Sequence, residues 1–323
     1  MQVSRLKAVG VDGLFAMGAP PEWIISGVIP ENGVVMISAD PYSSKTFFAL
    51  EACLAVATGT PFMGHFPVRK GRTLYIGEDS PAWDVAAQVR KLLAGRDMLS
   101  KSPEGMLYSV KQKASLDDDI GLERILDAVQ QYEPDLVVLD SLKKLHYKNE
   151  NDSQEMERVM ARIDRIRGAG PSVLIIHHES KPGQDGRRAA LHRARGSSAI
   201  SADLDGLLSI AYNRMLDRFV VEVGKSRALA IDGWQYDLLW DLESAKFVVI
   251  SEVNPNEDAI VAALKLGKNR TLDLVAAVAE VNPKLKADSQ RKTTSRALAA
   301  LRGRGLIRKV RFGEYALVDN SPE

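Results

Sequence analysis

One cysteine in 323 residues leaves no partner for a disulfide, so a disulfide scaffold is excluded and a reducing compartment is expected. Cys53 falls among the apolar positions of a helical pattern and reads as a small buried residue. Long apolar runs are missing as well. No stretch approaches a membrane span, and residues 1–17 lack the basic start and continuous apolar stretch of a secretory leader. A soluble cytoplasmic protein with no membrane partner is the expectation. Nor is there an excess of charge of either sign: 43 Lys and Arg face 42 Asp and Glu, so any attraction to nucleic acid must be local. Internal repeats and low-complexity tracts are absent from the sequence. With 45% hydrophobic residues, the chain can hold one large core plus a small accessory domain.

What is present begins with the segment Ser38-Ala39-Asp40-Pro41-Tyr42-Ser43-Ser44-Lys45-Thr46, set between an apolar run at 34–37 and a helical pattern at 47–57. Strand, loop and helix in that order place backbone N–H groups at a helix N-terminus, where they attract phosphate. Lys45 can reach the terminal phosphates and the Thr46 hydroxyl can ligate magnesium. The two glycines of the usual G-x-x-x-x-G-K-[ST] loop are replaced by Ala39 and Ser44, so the motif is degenerate. An ordinary polar turn before a helix is the competing account, and the rest of the chain decides against it.

Apolar runs recur at 34–37, 73–76, 136–139, 173–176, 206–210 and 219–223, several of them β-branched and continuous. They predict buried strands of a mostly parallel sheet, and the helical patterns between them predict an α/β fold. The clearest such helix is 153–167, with Met156, Val159, Met160, Ile163 and Ile166 on one face. Ligands collect at the carboxyl ends of strands in such sheets. Glu78 and Asp79 follow the second run, Asp140 and Ser141 the third, and His177 to Lys181 the fourth. An apolar strand ending in Asp140 suits a carboxylate that holds the magnesium Thr46 also approaches. Glu78 could polarise an attacking water. Asp79 reads as a cap of the next helix. His177 and His178 point to opposite sides of an extended strand and so do not share one ion; one of them suits a polar sensor of phosphate better.

This set of residues resembles the RepA-type hexameric helicase branch of the RecA-like P-loop ATPases over about residues 23–249. The stretches that carry the resemblance are Asp40-Pro-Tyr-Ser-Ser-Lys-Thr-Phe-Phe-Ala-Leu50, Ala57-Thr-Gly-Thr-Pro61, Gly71-Arg-Thr-Leu-Tyr-Ile-Gly-Glu-Asp79, Asp135-Leu-Val-Val-Leu-Asp140, Ile175-Ile-His-His178 and Arg195-Gly-Ser-Ser-Ala199. The resemblance implies a RecA-like sheet that binds ATP through residues 39–46, with Mg2+ at Thr46 and Asp140. It implies Glu78 as the water-activating base, His178 as nucleotide sensor, and Lys225 with Arg227 as a Lys-x-Arg element inserted into a neighbour's site. A homo-oligomeric ring or filament follows, together with replication or mobile-element proteins as possible partners. Loss of both loop glycines puts the rate of hydrolysis in question more than binding.

In RecA-like proteins the loops after the third and fourth strands contact nucleic acid. Here they carry Lys143 and Lys144, then Lys181, Arg187, Arg188, Arg193 and Arg195, which suit single-stranded DNA without sequence preference. The division expected is a core at 1–253, a linker at 254–268, a small domain at 269–318 and a disordered tail at 319–323. The small domain resembles a winged helix: a helix at 271–281, a second basic helix at 289–304, and a hairpin around Phe312-Gly313-Glu314. Arg291, Lys292 and Arg296 would then meet duplex DNA from the second helix, and Arg308, Lys309 and Arg311 from the wing. The functional expectation is a DNA-associated ATPase motor. A nucleotide-controlled DNA-binding regulator or loader without unwinding is the alternative, as is a nucleotide-bound scaffold that has lost turnover.

Overall fold

Runs that are apolar at every position suit only strands covered on both faces, and the computed structural model shows that arrangement. It describes residues 8–13, 22–39, 44–100, 102–178, 200, 203–213, 218–226, 234–241, 245–283, 285–303 and 306–318. A short antiparallel pair, β1 (Trp23–Ile25) and β2 (Ile29–Pro30), precedes the main sheet. The sheet has nine strands: β3 (Val34–Ala39), β4 (Thr73–Gly77), β5 (Met106–Val110), β6 (Leu136–Asp140), β7 (Ser172–His178), β8 (Gly206–Asn213), β9 (Arg218–Ser226), β10 (Gln235–Asp241) and β11 (Lys246–Val253). Their spatial order is β11-β10-β9-β8-β3-β7-β6-β4-β5. Pairings from β8 across to β5 are parallel, and β9, β10 and β11 extend the β8 edge antiparallel. The fold is α/β with a mostly parallel sheet, as the alternation of runs predicts.

The pleat sorts side chains onto two faces. Val35, Ile37, Ala39, Tyr75, Val138, Leu174 and Ile176 pack with α1 (Lys45–Thr58). Val34, Met36, Leu74, Ile76, Val137, Leu139, Val173 and Ile175 pack on the other side. The helices α3 (Asp119–Tyr132) and α5 (Ser153–Gly168) cover that second face, while α2 (Ala82–Ala94) lies with α1. Cys53 is fully buried in α1. Burial pushes its thiol up to about 12, so it stays protonated and inert.

Few residues are aromatic, yet several meet at one seam. Phe47 lies 4.7 Å from Trp240, and Phe48 lies 4.7 Å from Phe247 and 5.2 Å from Phe219, centroid to centroid. These contacts fix the helix that follows the phosphate-loop segment to the antiparallel extension.

The segment expected to be a linker contains helix α6 (Pro255–Lys265). Asn254 caps it, accepting from the Asn256 and Glu257 amides, and Pro255 occupies the first helical position. That Asn-Pro start reads as a break in sequence and acts as a helix signal in the fold. Ile260, Ala263 and Leu264 join one apolar cluster with α7 (Thr271–Val281), α8 (Ala287–Gly303) and the hairpin β12 (Ile307–Arg311) and β13 (Glu314–Leu317). Helices and a two-stranded antiparallel sheet thus form a small C-terminal unit that begins before residue 269.

Candidate nucleotide site

The tips of β3, β7, β6 and β4 lie side by side, so the residues ending them share one edge of the sheet. Pleat parity then decides which side chains face α1. Asp140 continues the face of Leu136 and Val138, and His178 that of Leu174 and Ile176. Both therefore point toward the helix that carries Lys45 and Thr46.

Asp140 is 1% exposed and accepts a hydrogen bond from the Tyr75 hydroxyl at 2.7 Å. Gly77 keeps this contact possible, because a Cβ there would lie 2.4 Å from the Tyr75 ring. Burial raises the Asp140 pKa; the Thr46 side chain, hydrogen-bonded to it, and then the Tyr75 hydroxyl and the charge of Lys45 work the other way. Lys45 is buried, with its ammonium 3.3 Å from the Ala39 carbonyl oxygen. The Asp140–Ser141 peptide is cis. His178 Nε2 lies 3.6 Å from an Asp79 carboxylate oxygen. Desolvation, and next the charge of Lys45, lower the His178 pKa, so the ring is neutral at pH 7.

Lys45, Thr46, Asp140 and His178 are thus brought together. Ser44 adjoins them as the N-cap of α1, at φ 58° and ψ 36°, a left-handed conformation in which glycine is the usual residue. Ala39 ends β3 fully buried, in extended pairing with His178 and Ile210. Asp40, Pro41, Tyr42 and Ser43 lie outside the described residues.

Two acids differ from expectation. Asp79 is not a helix cap: Pro81 holds the N-cap position of α2, with no side-chain cap bond. Asp79, in the bend just after β4, turns toward His178 instead and lies 4.0 Å from Lys144. Glu78 has other partners. Its carboxylate accepts from the Ala114 amide at 3.0 Å, its own amide donates to the Asp140 carbonyl, and its carbonyl accepts from Lys111.

His177 faces away from His178, fully buried on the α5 side. Its Nδ1 lies 2.8 Å from the His178 carbonyl oxygen and its Nε2 lies 3.5 Å from a Glu150 carboxylate oxygen. His146, also buried, accepts at Nδ1 from the Lys148 amide.

The donor set suits a hard cation: a hydroxyl and a carboxylate, already hydrogen-bonded to one another, one of them too buried to be at ease with its charge. A site of this kind completes its coordination with water and phosphate oxygens, which accords with the lack of any larger ligand cluster among the described residues.

A family model described as an AAA domain matches residues 2–184. The chain belongs to this AAA domain family. The match spans the phosphate-loop segment and the tips of β3, β4, β6 and β7, and membership indicates a P-loop ATPase of the RecA-like class. Members of this family generally bind ATP with Mg2+. No helix among the described residues is long and apolar enough to cross a membrane.

Of the remaining expected site residues, Lys143 and Lys144 lie exposed on the short helix α4 (Leu142–Leu145). Arg291, Lys292 and Arg296 are exposed on α8. Lys225 lies near the end of β9, paired with Leu207, and Leu207 with Met36. It is therefore three residues, about 10 Å, back from the level of Ala39 and two strands across. Arg227, Lys181, Arg187, Arg188, Arg193 and Arg195 lie outside the described residues.

Proposed function

We propose that this chain is an ATP-hydrolysing motor of the RepA-type branch, acting on DNA as a ring or filament of identical subunits. The observation that carries the reading is the Thr46–Asp140 hydrogen bond at the strand tips, with Lys45 and His178 beside it. Bound ATP and Mg2+ would supply the γ-phosphoryl group and the cation that neutralises its oxygens. Thr46 and Asp140 would hold that cation, and Lys45 would compensate the phosphate charge. His178, neutral and partnered by Asp79, would report the terminal phosphate by hydrogen bonding. Glu78 acts as the base that orients and deprotonates water; it must release the Ala114 amide to do so, a rearrangement that fits a site which tightens only around substrate.

The position of Lys225 supports a site shared between subunits. Lying back from the level of Ala39 and two strands across, Lys225 serves a neighbour's nucleotide more readily than its own, and Arg227 would act with it by the resemblance. The small C-terminal unit, with two helices followed by a hairpin and a basic face on α8, supports a winged helix that holds duplex DNA. Lys143 and Lys144, together with the 181–195 segment, are the contacts proposed for single-stranded DNA.

The test is an ATPase assay with and without single-stranded DNA, run beside mass measurement in a non-hydrolysable ATP analogue and a strand-separation assay. DNA-stimulated turnover, unwinding and an oligomer of defined mass are expected. Turnover or binding without unwinding would select a regulator or loader, and tight nucleotide retention without turnover a scaffold.

A further inference from the structure

The near-zero total charge conceals a division along the chain. Residues 254–318 hold 13 Lys and Arg against 6 Asp and Glu, while residues 1–253 hold 30 against 34. Among the described residues of the basic unit, one large apolar side chain is almost wholly exposed. Phe312, at the tip of the β12–β13 hairpin, is 96% exposed, and Val310 beside it is 54% exposed. The root of the same hairpin is anchored normally: Ile307 is buried, and Tyr315 and Leu317 pack against the unit's apolar cluster.

The tip is held firmly. Gly313 takes φ 75°, and its carbonyl accepts from both the amide and the hydroxyl of Thr271 at the start of α7, at 2.8 and 3.0 Å. Arg311 donates a two-bond fork to the Glu314 carboxylate across the turn, 2.8 Å each. Arg311 thus has a partner within the hairpin while its side chain stays largely exposed. Arg308 and Lys309 remain exposed on β12, and the Lys309 ammonium lies 5.3 Å from the centroid of the Phe312 ring. A rigid turn that presents one bare aromatic ring among cations has little freedom left for binding to remove.

We propose that Phe312 is an apolar wedge that the hairpin sets against a base step of duplex DNA in the minor groove, with Arg308 and Lys309 on the flanking phosphates. The inference rests on the reading of the C-terminal unit as DNA-binding and adds to it the residue that deforms the duplex. Charge complementarity selects the occupant: a polyanion matches a basic unit, and a single ring on a two-residue tip matches the narrow groove and an opened base step. A helix-sized apolar groove, the usual requirement of a protein partner's helix, is not what the tip offers.

The experiment uses the full chain and a short duplex carrying 2-aminopurine at its central steps, with affinity measured across a range of salt concentrations. The parent protein is expected to raise 2-aminopurine fluorescence on binding, because the reporter brightens when unstacked. Phe312→Ala should bind about tenfold or more weakly, a loss typical of a base–aromatic contact, and give no brightening at saturation. Its salt dependence should match the parent's. Lys309→Ala should brighten the reporter at saturation while its salt slope falls by about one. Because the ring is exposed, Phe312→Ala should fold as the parent does, and Phe312→Trp should restore the signal. Brightening and affinity equal to the parent's in Phe312→Ala would overturn the wedge while leaving DNA binding in place. A parent protein with no affinity for duplex would overturn the DNA reading beneath it as well.

Discussion

Ser44 and Ala39 stand where the usual phosphate loop has glycines, and the structure separates the two. At φ 58° Ser44 occupies the left-handed region, which costs a non-glycine residue roughly 1 kcal/mol. Ser44→Gly should therefore preserve or raise both thermal stability and ATP turnover, read by melting temperature and phosphate release. Ala39 is extended and fully buried, so Ala39→Gly removes a packed methyl and adds chain entropy to the unfolded state. A fall of about 1 kcal/mol in chemical denaturation is expected there. Equal effects of the two changes would contradict this division. A second pair of substitutions separates the acids: Glu78→Gln should keep ATP affinity and lose about a hundredfold or more in turnover, the ordinary scale for a lost general base. Asp79→Asn should cost less and act through His178, shifting the pH profile of turnover. If Asp79→Asn abolished hydrolysis while Glu78→Gln retained it, the water-activating role would pass to Asp79.

Elements show why some of this was legible in sequence and some was not. β3, β4, β6 and β7 were readable because strands buried on both faces are apolar throughout, and the residues after them stand out by contrast. β10 and β11 were not, since antiparallel edge strands mix Asp, Glu, Lys and Ser with apolar residues and lose the continuous signal. α6 was hidden by the Asn-Pro-Asn start that in fact caps it. Asp79 reads as a cap because strand-end acids so often cap helices, and only its contacts with His178 and Lys144 reveal its direction. The loop after α4 carries a further consequence. His146 accepts the Lys148 amide at Nδ1, so the ring must be neutral, and burial lowers its pKa below the ordinary 6.5. A histidine depressed in the folded state binds fewer protons than in the unfolded chain, so its stabilising contribution is present above pH 6.5 and is lost as pH falls below it. Urea unfolding at pH 7.5 and 5.5 should show a loss of stability on acidification that is smaller in His146→Gln. An identical loss in parent and variant would remove His146 from this account.

At the scale of the whole molecule, α6 moves the boundary of the C-terminal unit to residue 254. Truncation after residue 253 should leave a stable ATPase core with weakened duplex binding. Truncation after 267 should leave the apolar face of Ile260, Ala263 and Leu264 uncovered and give a more aggregation-prone protein, measurable by light scattering. The two products behaving alike would argue against that boundary. A site shared between subunits, as proposed, predicts that Arg227→Ala and Glu78→Gln subunits, each poorly active alone, regain some turnover when mixed. The fold brings the tips of four strands to one site, for which magnesium and nucleotide are the proposed ligands. The most direct measurement is ATP affinity by calorimetry with Mg2+ and with a chelator, for the parent and for Asp140→Asn, with circular dichroism as the control for folding. The account predicts that Mg2+ strengthens binding to the parent and that Asp140→Asn, folded, loses most of that gain. Binding indifferent to Mg2+, or a Mg2+ effect undiminished in Asp140→Asn, would contradict it.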